Sequence, residues 1–169
     1  MGTNESELVE KVEEKLGDDG RRMLHGSKPE EVTKKPDGQY SDHVILSDEE
    51  RAKGFVRPVR LSYIHVGIRP KFPLRDLTED ERKRYASEGY AKYEPYPESM
   101  RPLTGRYWTD KDLHSGCGAV TTMPRPIAET YAARPGFYGS TYCCTCREYF
   151  PVGEEGQFMW DGTNQRVGT

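Results

Sequence analysis

The chain has 169 residues, a formal net charge of −3 and a mean hydropathy of −0.90, with 34% hydrophobic and 31% charged residues. No apolar run is long enough to cross a bilayer, and the first residues lack the apolar stretch of a secretory signal peptide. These features argue against a membrane-spanning protein and predict either one soluble domain or a small domain with appendages, located in the cytoplasm.

The first 42 residues predict an acidic helix followed by a flexible linker. Apolar residues recur at helical spacing near the start, at Leu8, Val9, Val12 and Leu16. Residues 17–42 lack such periodicity and contain several turn-forming residues, which is typical of a linker. The helix could dock on another protein or pack on its own domain, and the sequence leaves both alternatives open.

Residues 43–169 predict an α+β domain with short helices. Ser47 and Glu50 have the spacing of a capping box, as do Thr78 and Glu81, so each pair predicts the start of a helix. Between these pairs, the run "FVRPVRLSYIHVG" is rich in β-branched and aromatic residues, which predicts a strand with its proline at an edge or a bend.

The middle of the chain combines positive charge with aromatic residues. Residues 51–111 contain 14 Lys and Arg against 8 Asp and Glu. Aromatic rings beside cations can stack on bases and neutralise phosphates, and the candidate contacts are Arg101, Arg106, Tyr107 and Trp108. The same side chains could instead attach an irregular segment to a sheet. Contact with nucleic acid is therefore an alternative function.

The four cysteines predict a metal site. All of them lie between residues 117 and 146, and this clustering favours a reduced thiolate site over the disulfides that an even cysteine count would otherwise allow. His114 precedes Cys117 by three residues, and Cys143 precedes Cys146 by three. Two such pairs can surround one tetrahedral ion, so the spacing predicts one structural zinc per chain at these four residues, with iron as the other metal that thiolates accept.

The segments around these cysteines predict a zinc-ribbon-like fold. The predicted elements are a strand in "GAVTTM", a helix in "RPIAETYAAR", a strand in "GFYGSTYCC" and a hairpin in "EYFPVGEEGQFMWDGT". Cys144 would point away from its neighbours in an extended segment and is predicted to be a spare thiol. We therefore expect a small zinc-ribbon-like antiparallel sheet with short helices and long irregular segments.

The sequence "GCGAVTTMPRPIAETYAARPGFYGSTYCCTCREYFPVGE", followed by "FMWDGT" and "RVGT", resembles an uncharacterised family of small proteins encoded by bacteriophages and prophages. The resemblance covers residues 54–169. It implies a phage context and a metal site made of two paired knuckles, and it implies no reaction. We therefore expect a phage accessory or structural protein, in the host cytoplasm or the virion, that binds a host or phage protein.

Catalysis is a further alternative. Cys144 with His65 or His43 could form a nucleophile and base, and Glu129 and Glu148 could act as acid or base groups near the metal. A zinc ion with four protein ligands has no position left for a reacting water. We therefore expect a structural metal and no catalytic residue.

Overall fold

The computed structural model describes residues 20–169, and within that range it confirms the predicted α+β class. Residues 20–65 and 118–169 form one compact unit, and residues 66–117 form a second. The predicted helix near the N-terminus lies outside the described residues. Among residues 20–169, no helix is both long enough and apolar enough to cross a membrane.

The described residues contain ten short strands and four α-helices. The strands are β1 (Arg21–Met23), β2 (Val44–Leu46), β3 (Ser62–His65), β4 (Arg75–Asp76), β5 (Tyr90–Pro95), β6 (Gly105–Thr109), β7 (Val120–Thr122), β8 (Ser140–Cys143), β9 (Glu148–Pro151) and β10 (Phe158–Trp160). The helices are α1 (Asp48–Ala52), α2 (Glu79–Arg84), α3 (Asp110–Leu113) and α4 (Arg125–Ala133). Every sheet is antiparallel and has two or three strands.

The first unit is organised around an aromatic core. Its sheets are β1–β2, β10–β3–β7 and β8–β9. Tyr63 on β3 makes edge-to-face contacts with Phe158 and Trp160 on β10, and Tyr131 on α4 makes another with Trp160. Such pairs add about 0.5–1.5 kcal/mol each beyond the area they bury. These large rings compensate for the shortness of the strands.

Residues 20–42, predicted as part of a linker, belong to this unit in the structure. β1 pairs with β2, and Met23 and Leu24 are buried. The turn near Asp37 packs on β8, where the Tyr142 hydroxyl donates to the carbonyl of Asp37. The segment lacks periodicity because only two or three residues at a time face the core.

The last two strands do not form the predicted hairpin. β9 pairs with β8, and β10 pairs with β3. Phe158 and Trp160 are both buried by the pairing with β3. Packing in the aromatic core stabilises this strand more than a local hairpin could, because an isolated two-stranded hairpin is only marginally stable.

The second unit is a three-stranded sheet, β4–β5–β6, with α2 beside it. The predicted capping box is present at α2, where Thr78 accepts from the Glu81 backbone and Glu81 accepts from that of Thr78. Alternation along β5 and β6 places Tyr93 and Tyr107 opposite each other, with ring centroids 4.7 Å apart.

Candidate metal centre

Two candidate ligands, His65 and Cys117, meet where β3 pairs with the start of β7. The Gly118 N–H donates to the His65 carbonyl at 2.9 Å, and the His65 N–H donates to the Ala119 carbonyl at 3.1 Å. This antiparallel pairing places Cys117 beside the end of β3. Gly116 has a φ of +92°, and a Cβ there would lie 2.4 Å from the Val66 carbonyl carbon, so glycine is required.

The other two candidate ligands, Cys143 and Cys146, lie in the turn that joins β8 to β9. The Arg147 N–H donates to the Cys143 carbonyl at 2.8 Å, and the Cys146 N–H approaches the Cys143 Sγ at 3.5 Å. Arg147 closes the turn with a φ of +56°. The turn therefore directs both thiols to one side and supplies an N–H donor to one of the sulfurs.

A side-chain contact fixes this turn against β7. The Cys144 N–H donates to the hydroxyl of buried Thr121 at 3.1 Å. As a result, one ligand atom each from His65, Cys117, Cys143 and Cys146 lies within 4.8 Å of the others. This cluster could hold a metal ion. Within residues 20–169, which include all four cysteines, no disulfide is formed.

His65 is held in a single orientation. Its side chain is buried between Phe150, with ring centroids 4.4 Å apart, and Phe158, at 4.9 Å. Its Nε2 lies 2.7 Å from the Gln157 Oε1, and its Nδ1 lies 3.5 Å from the Cys146 Sγ. Because an amide oxygen only accepts, Nε2 carries the proton, and the Nδ1 lone pair faces the thiols.

One distance in the cluster has the length expected around a small tetrahedral ion. Zinc binds thiolate at about 2.3 Å and imidazole at about 2.0–2.1 Å, so tetrahedral angles place a sulfur and a nitrogen about 3.5 Å apart. The contact between Cys146 Sγ and His65 Nδ1 has this length, 3.5 Å. Three thiolates and one imidazole would surround such an ion completely.

The neighbouring tyrosine adds no charge to the site. The Tyr63 hydroxyl donates to the carbonyl of Tyr142, the residue before Cys143. Burial raises the pKa of Tyr63 above its ordinary value. Tyr63 is therefore a neutral donor at physiological pH and positions the end of β8 without repelling the thiolates.

The structure brings together three of the four predicted ligands, Cys117, Cys143 and Cys146, and it adds His65 in place of His114. His114 is exposed at the C-terminal end of α3, where its Nδ1 lies 2.8 Å from the Asp110 carbonyl. The capping box of Thr109 and Asp112 folds this stretch into a turn of its own. A signal for His65 was present, because strand alternation puts it on the same face as Tyr63.

Other residues considered for catalysis have structural partners. Glu129 pairs with buried Arg51 at 3.1 Å and with Arg125 at 2.8 Å. The His43 Nε2 lies 3.1 Å from the Tyr149 hydroxyl. Cys144 is exposed, with its Sγ 3.5 Å from the Val120 carbonyl. None of these contacts forms a nucleophile and base pair.

The candidate nucleic-acid contacts are partly used inside the second unit. Trp108 is buried, and its indole N–H donates to the carboxylate of Glu94 at 3.0 Å. Arg106 stacks over the Trp108 ring at 4.2 Å, and the Tyr107 hydroxyl donates to Glu81 at 2.6 Å. Arg101 is exposed and pairs with Glu98 at 3.6 Å. Trp108 therefore offers no open face for a base.

Comparisons with protein-family models, with curated proteins and with solved structures found no match. The resemblance to a family encoded by bacteriophages stays a prediction. The function is therefore inferred from the chemistry of the chain's own residues, above all from a cluster of three thiols and one buried imidazole that could hold a metal ion.

Proposed function

We propose that the chain is a zinc-binding protein in which His65, Cys117, Cys143 and Cys146 hold one structural Zn²⁺ ion. The observation that carries the proposal is the orientation of His65. Metal-bound histidines usually donate their second ring N–H to a fixed acceptor, which holds the tautomer and the ring plane. Gln157 provides that acceptor here at 2.7 Å.

The composition of the cluster favours zinc and a structural role. Sets of three cysteines and one histidine are common at structural zinc sites, where four protein ligands fill the tetrahedron. Thiolates also bind iron, but a set of three thiolates and one imidazole is typical of structural zinc sites. With four ligands in place, no position remains for a water or a substrate, so metal-assisted hydrolysis is not supported.

A structural ion also explains how such short strands hold together. The β10–β3–β7 sheet supplies His65, Cys117 lies shortly before β7, and the turn between β8 and β9 supplies the other two cysteines. Zinc would link these segments covalently. In small zinc domains, the free energy of metal binding becomes free energy of folding, because the unfolded chain has no formed site.

We further propose that the zinc-bound chain acts by binding another protein. A closed site supports binding over catalysis, and the resemblance described above suggests a phage accessory or virion protein with a host or phage partner. A pull-down with zinc-loaded and chelated protein tests this role, which requires a partner retained only with zinc. Nucleic-acid binding remains the alternative, and a titration at low salt tests it, since phosphate contacts weaken steeply as salt is added.

The first experiment is elemental analysis of protein purified without added metal, with two histidine variants as a matched pair. We expect about one zinc per chain in the wild type and in His114→Ala, and a marked loss in His65→Ala. Zinc retained in His65→Ala and lost in His114→Ala would contradict the assignment. Absence of zinc from the wild type, in a chain that also fails to take up added zinc, would contradict the function.

Two cysteine variants, and one variant at the hydrogen-bond partner of His65, test the assignment of the ligands further. Cys143→Ser should lose the metal, whereas Cys144→Ser should keep it, because Cys144 lies outside the cluster. Gln157→Leu should lower zinc affinity by about 10- to 100-fold, the usual effect of removing a partner of a metal-bound histidine. Visible spectra of the cobalt-substituted protein would show whether the coordination stays tetrahedral in each variant.

A further inference from the structure

A cavity in the first unit is separate from the cysteine cluster. It has a volume of about 360 Å³, and Met23, Val32, Tyr40, Asp42, Tyr138 and Tyr149 are among its lining residues. Ligand pockets commonly have volumes of about 300–1,000 Å³, with mostly apolar and aromatic walls and a few polar groups. This cavity has those properties, with three tyrosines and one acidic side chain in its wall.

The hydroxyl groups of two of these tyrosines are bound to the protein. The Tyr138 hydroxyl donates to the Val44 carbonyl at 2.6 Å. The Tyr149 hydroxyl accepts from the Tyr40 backbone N–H at 3.0 Å and contacts the His43 Nε2 at 3.1 Å. The hydroxyls are engaged by protein partners, so the rings are held in place and contribute mainly aromatic surface to the cavity.

The rings of Tyr40 and Tyr149 form a tilted pair in the cavity wall. Their centroids are 4.9 Å apart, and their planes are inclined by 34°. Tyr40 is 45% exposed, so it forms the outer part of this wall. The face of an aromatic ring carries negative electrostatic potential, and several rings around one space attract a cation whose surface is apolar.

Asp42 supplies a negative charge to the same cavity. Its side chain is 3% exposed, and its two oxygens accept backbone N–H groups, from His43 at 2.8 Å and from Ser27 at 3.3 Å. Two neutral donors leave the charge of a carboxylate uncompensated. Burial lowers the pKa of His43 below its ordinary value, so this neighbour is neutral near pH 7.

Lys35 and His25 are the other groups whose positive charge acts on His43, and Lys35 already has an acidic partner. Its Nζ lies 3.9 Å from the Asp37 carboxylate. Among the residues that line the cavity, Asp42 is the one acidic side chain, and no lysine or arginine is included. An anionic ligand would be repelled here, and a neutral apolar ligand would leave that buried charge without a counterion.

We propose that this cavity binds a small organic cation with a methylated ammonium group. The methyl groups would contact Tyr40, Tyr138 and Tyr149, and the positive charge would be balanced by Asp42. A primary ammonium would fit less well, because its three N–H donors need acceptors that apolar walls do not provide. The proposal concerns residues outside the metal cluster and does not depend on the identity of the metal.

The test is a calorimetric titration of the full chain, as purified, with choline and with its neutral carbon analogue 3,3-dimethyl-1-butanol. The two probes have the same shape and differ in charge. Choline should bind with a dissociation constant of about 1 mM or tighter, and the neutral analogue should bind at least about tenfold more weakly. Equal affinity of the two probes, or no binding of choline, would overturn the proposal.

Substitutions at Tyr40 locate the binding site without disturbing the core. Tyr40→Phe keeps the ring and should retain choline affinity, whereas Tyr40→Leu should weaken it about three- to tenfold. Phe55→Leu is the matched control, since Phe55 is 43% exposed and does not line the cavity. A loss of affinity in Phe55→Leu equal to that in Tyr40→Leu would contradict the location.

Asp42→Asn removes the charge with little change in shape and should weaken choline binding about tenfold or more, while binding of the neutral analogue stays the same. If Asp42→Asn does not fold, the Tyr40 variants still decide the question. Zinc content is measured on every sample, so that failure of choline binding in zinc-loaded protein would reject this proposal alone. Loss of zinc with choline binding intact would reject the proposed metal site alone.

Discussion

The two units of this chain organise irregular, polar sequence by different means. The first unit joins an aromatic core to three of the four clustered ligands, His65, Cys143 and Cys146, and Cys117 directly precedes its second segment. In the second unit, residues 66–117, a buried carboxylate is the organising group. Glu94 accepts from the backbone N–H groups of Lys71 and Phe72 and from the indole of Trp108.

The comparison shows two ways to compensate for a small apolar core. A metal concentrates stability in four side chains and makes it depend on metal supply. A buried carboxylate that accepts three hydrogen bonds does not depend on a bound metal, but each donor loses its acceptor if the carboxylate is removed. Each unit contains one of the two tryptophans, Trp108 in the second unit and Trp160 in the first. Their indole N–H signals therefore let one NMR spectrum follow the folding of both units.

The largest expected effect is that of metal removal. Chelation should destabilise the first unit by more than about 4 kcal/mol, the stabilisation that a ligand gives at a thousand times its dissociation constant. We expect the Trp160 indole signal and slow amide exchange in β3, β7 and β8 to be lost. The Trp108 signal and the β5–β6 amides should persist. Equal loss of these signals in both units would show that the metal does not stabilise the first unit in particular.

The next effect is expected from Glu94→Ala. It would remove the acceptor of three N–H donors, of which the Trp108 indole makes a buried contact and the two backbone N–H groups make partly buried ones. Because an unsatisfied buried donor costs about 1–3 kcal/mol, the second unit should lose about 2 kcal/mol or more. Urea unfolding followed by the Trp108 indole signal measures this loss. Glu98→Ala is the control, because Glu98 is exposed and pairs with exposed Arg101, and it should change stability by less than about 0.5 kcal/mol. Zinc content should not change in either variant.

Features set by neighbouring residues could be predicted from the sequence, whereas those set by distant pairing could not. The capping box of Thr78 and Glu81 and the turn from Cys143 to Cys146 are local, and both patterns are found in the structure. His65 joins the cluster only because β3 pairs with β7, across the whole of residues 66–117. Local spacing favoured His114, since a histidine three residues before a cysteine has the more familiar pattern.

The strand after β9 illustrates the same limit. Its aromatic alternation predicted a strand correctly, but the choice of partner depended on the packing of Phe158 and Trp160 against Tyr63. Burial of Glu94 was also unpredictable, because nothing local distinguishes it from the exposed Glu98. In each case, the deciding contacts join residues far apart in sequence.

A smaller effect, this time a gain in stability, is expected at Arg147, which ends the turn that contains Cys143 and Cys146. Arg147 adopts a φ of +56°, a conformation that costs a residue with a Cβ about 1 kcal/mol and costs glycine little. Arg147→Gly should therefore stabilise the first unit by up to about 1 kcal/mol in zinc-loaded protein. Glu148→Gly, one residue later in a strand, should destabilise it by about 0.5–1 kcal/mol. Thermal unfolding of the two variants side by side checks the opposite signs.

The smallest effect concerns the pH dependence of the second unit, whose sheet and α2 contain none of the four candidate ligands. Glu81 accepts from Arg75 at 2.7 Å, from the Tyr107 hydroxyl at 2.6 Å and from the Thr78 N–H at 2.9 Å. These bonds, led by that from Arg75, hold the pKa of Glu81 well below its ordinary value of 4.5. The stabilisation is thus complete above about pH 4.5 and is lost as the pH falls below that value.

Glu81→Gln should lower the urea midpoint of the Trp108 signal near pH 6, and its difference from the wild type should shrink as the pH falls from about 4.5 towards 3. Solvent around the exposed Arg75 keeps this difference modest. Glu79→Gln is the control, since Glu79 pairs with Lys83 on the exposed surface of α2 at 3.4 Å. A difference that grows on acidification would mean that Glu81 is protonated more readily in the folded chain than in the unfolded one, which its three donors argue against.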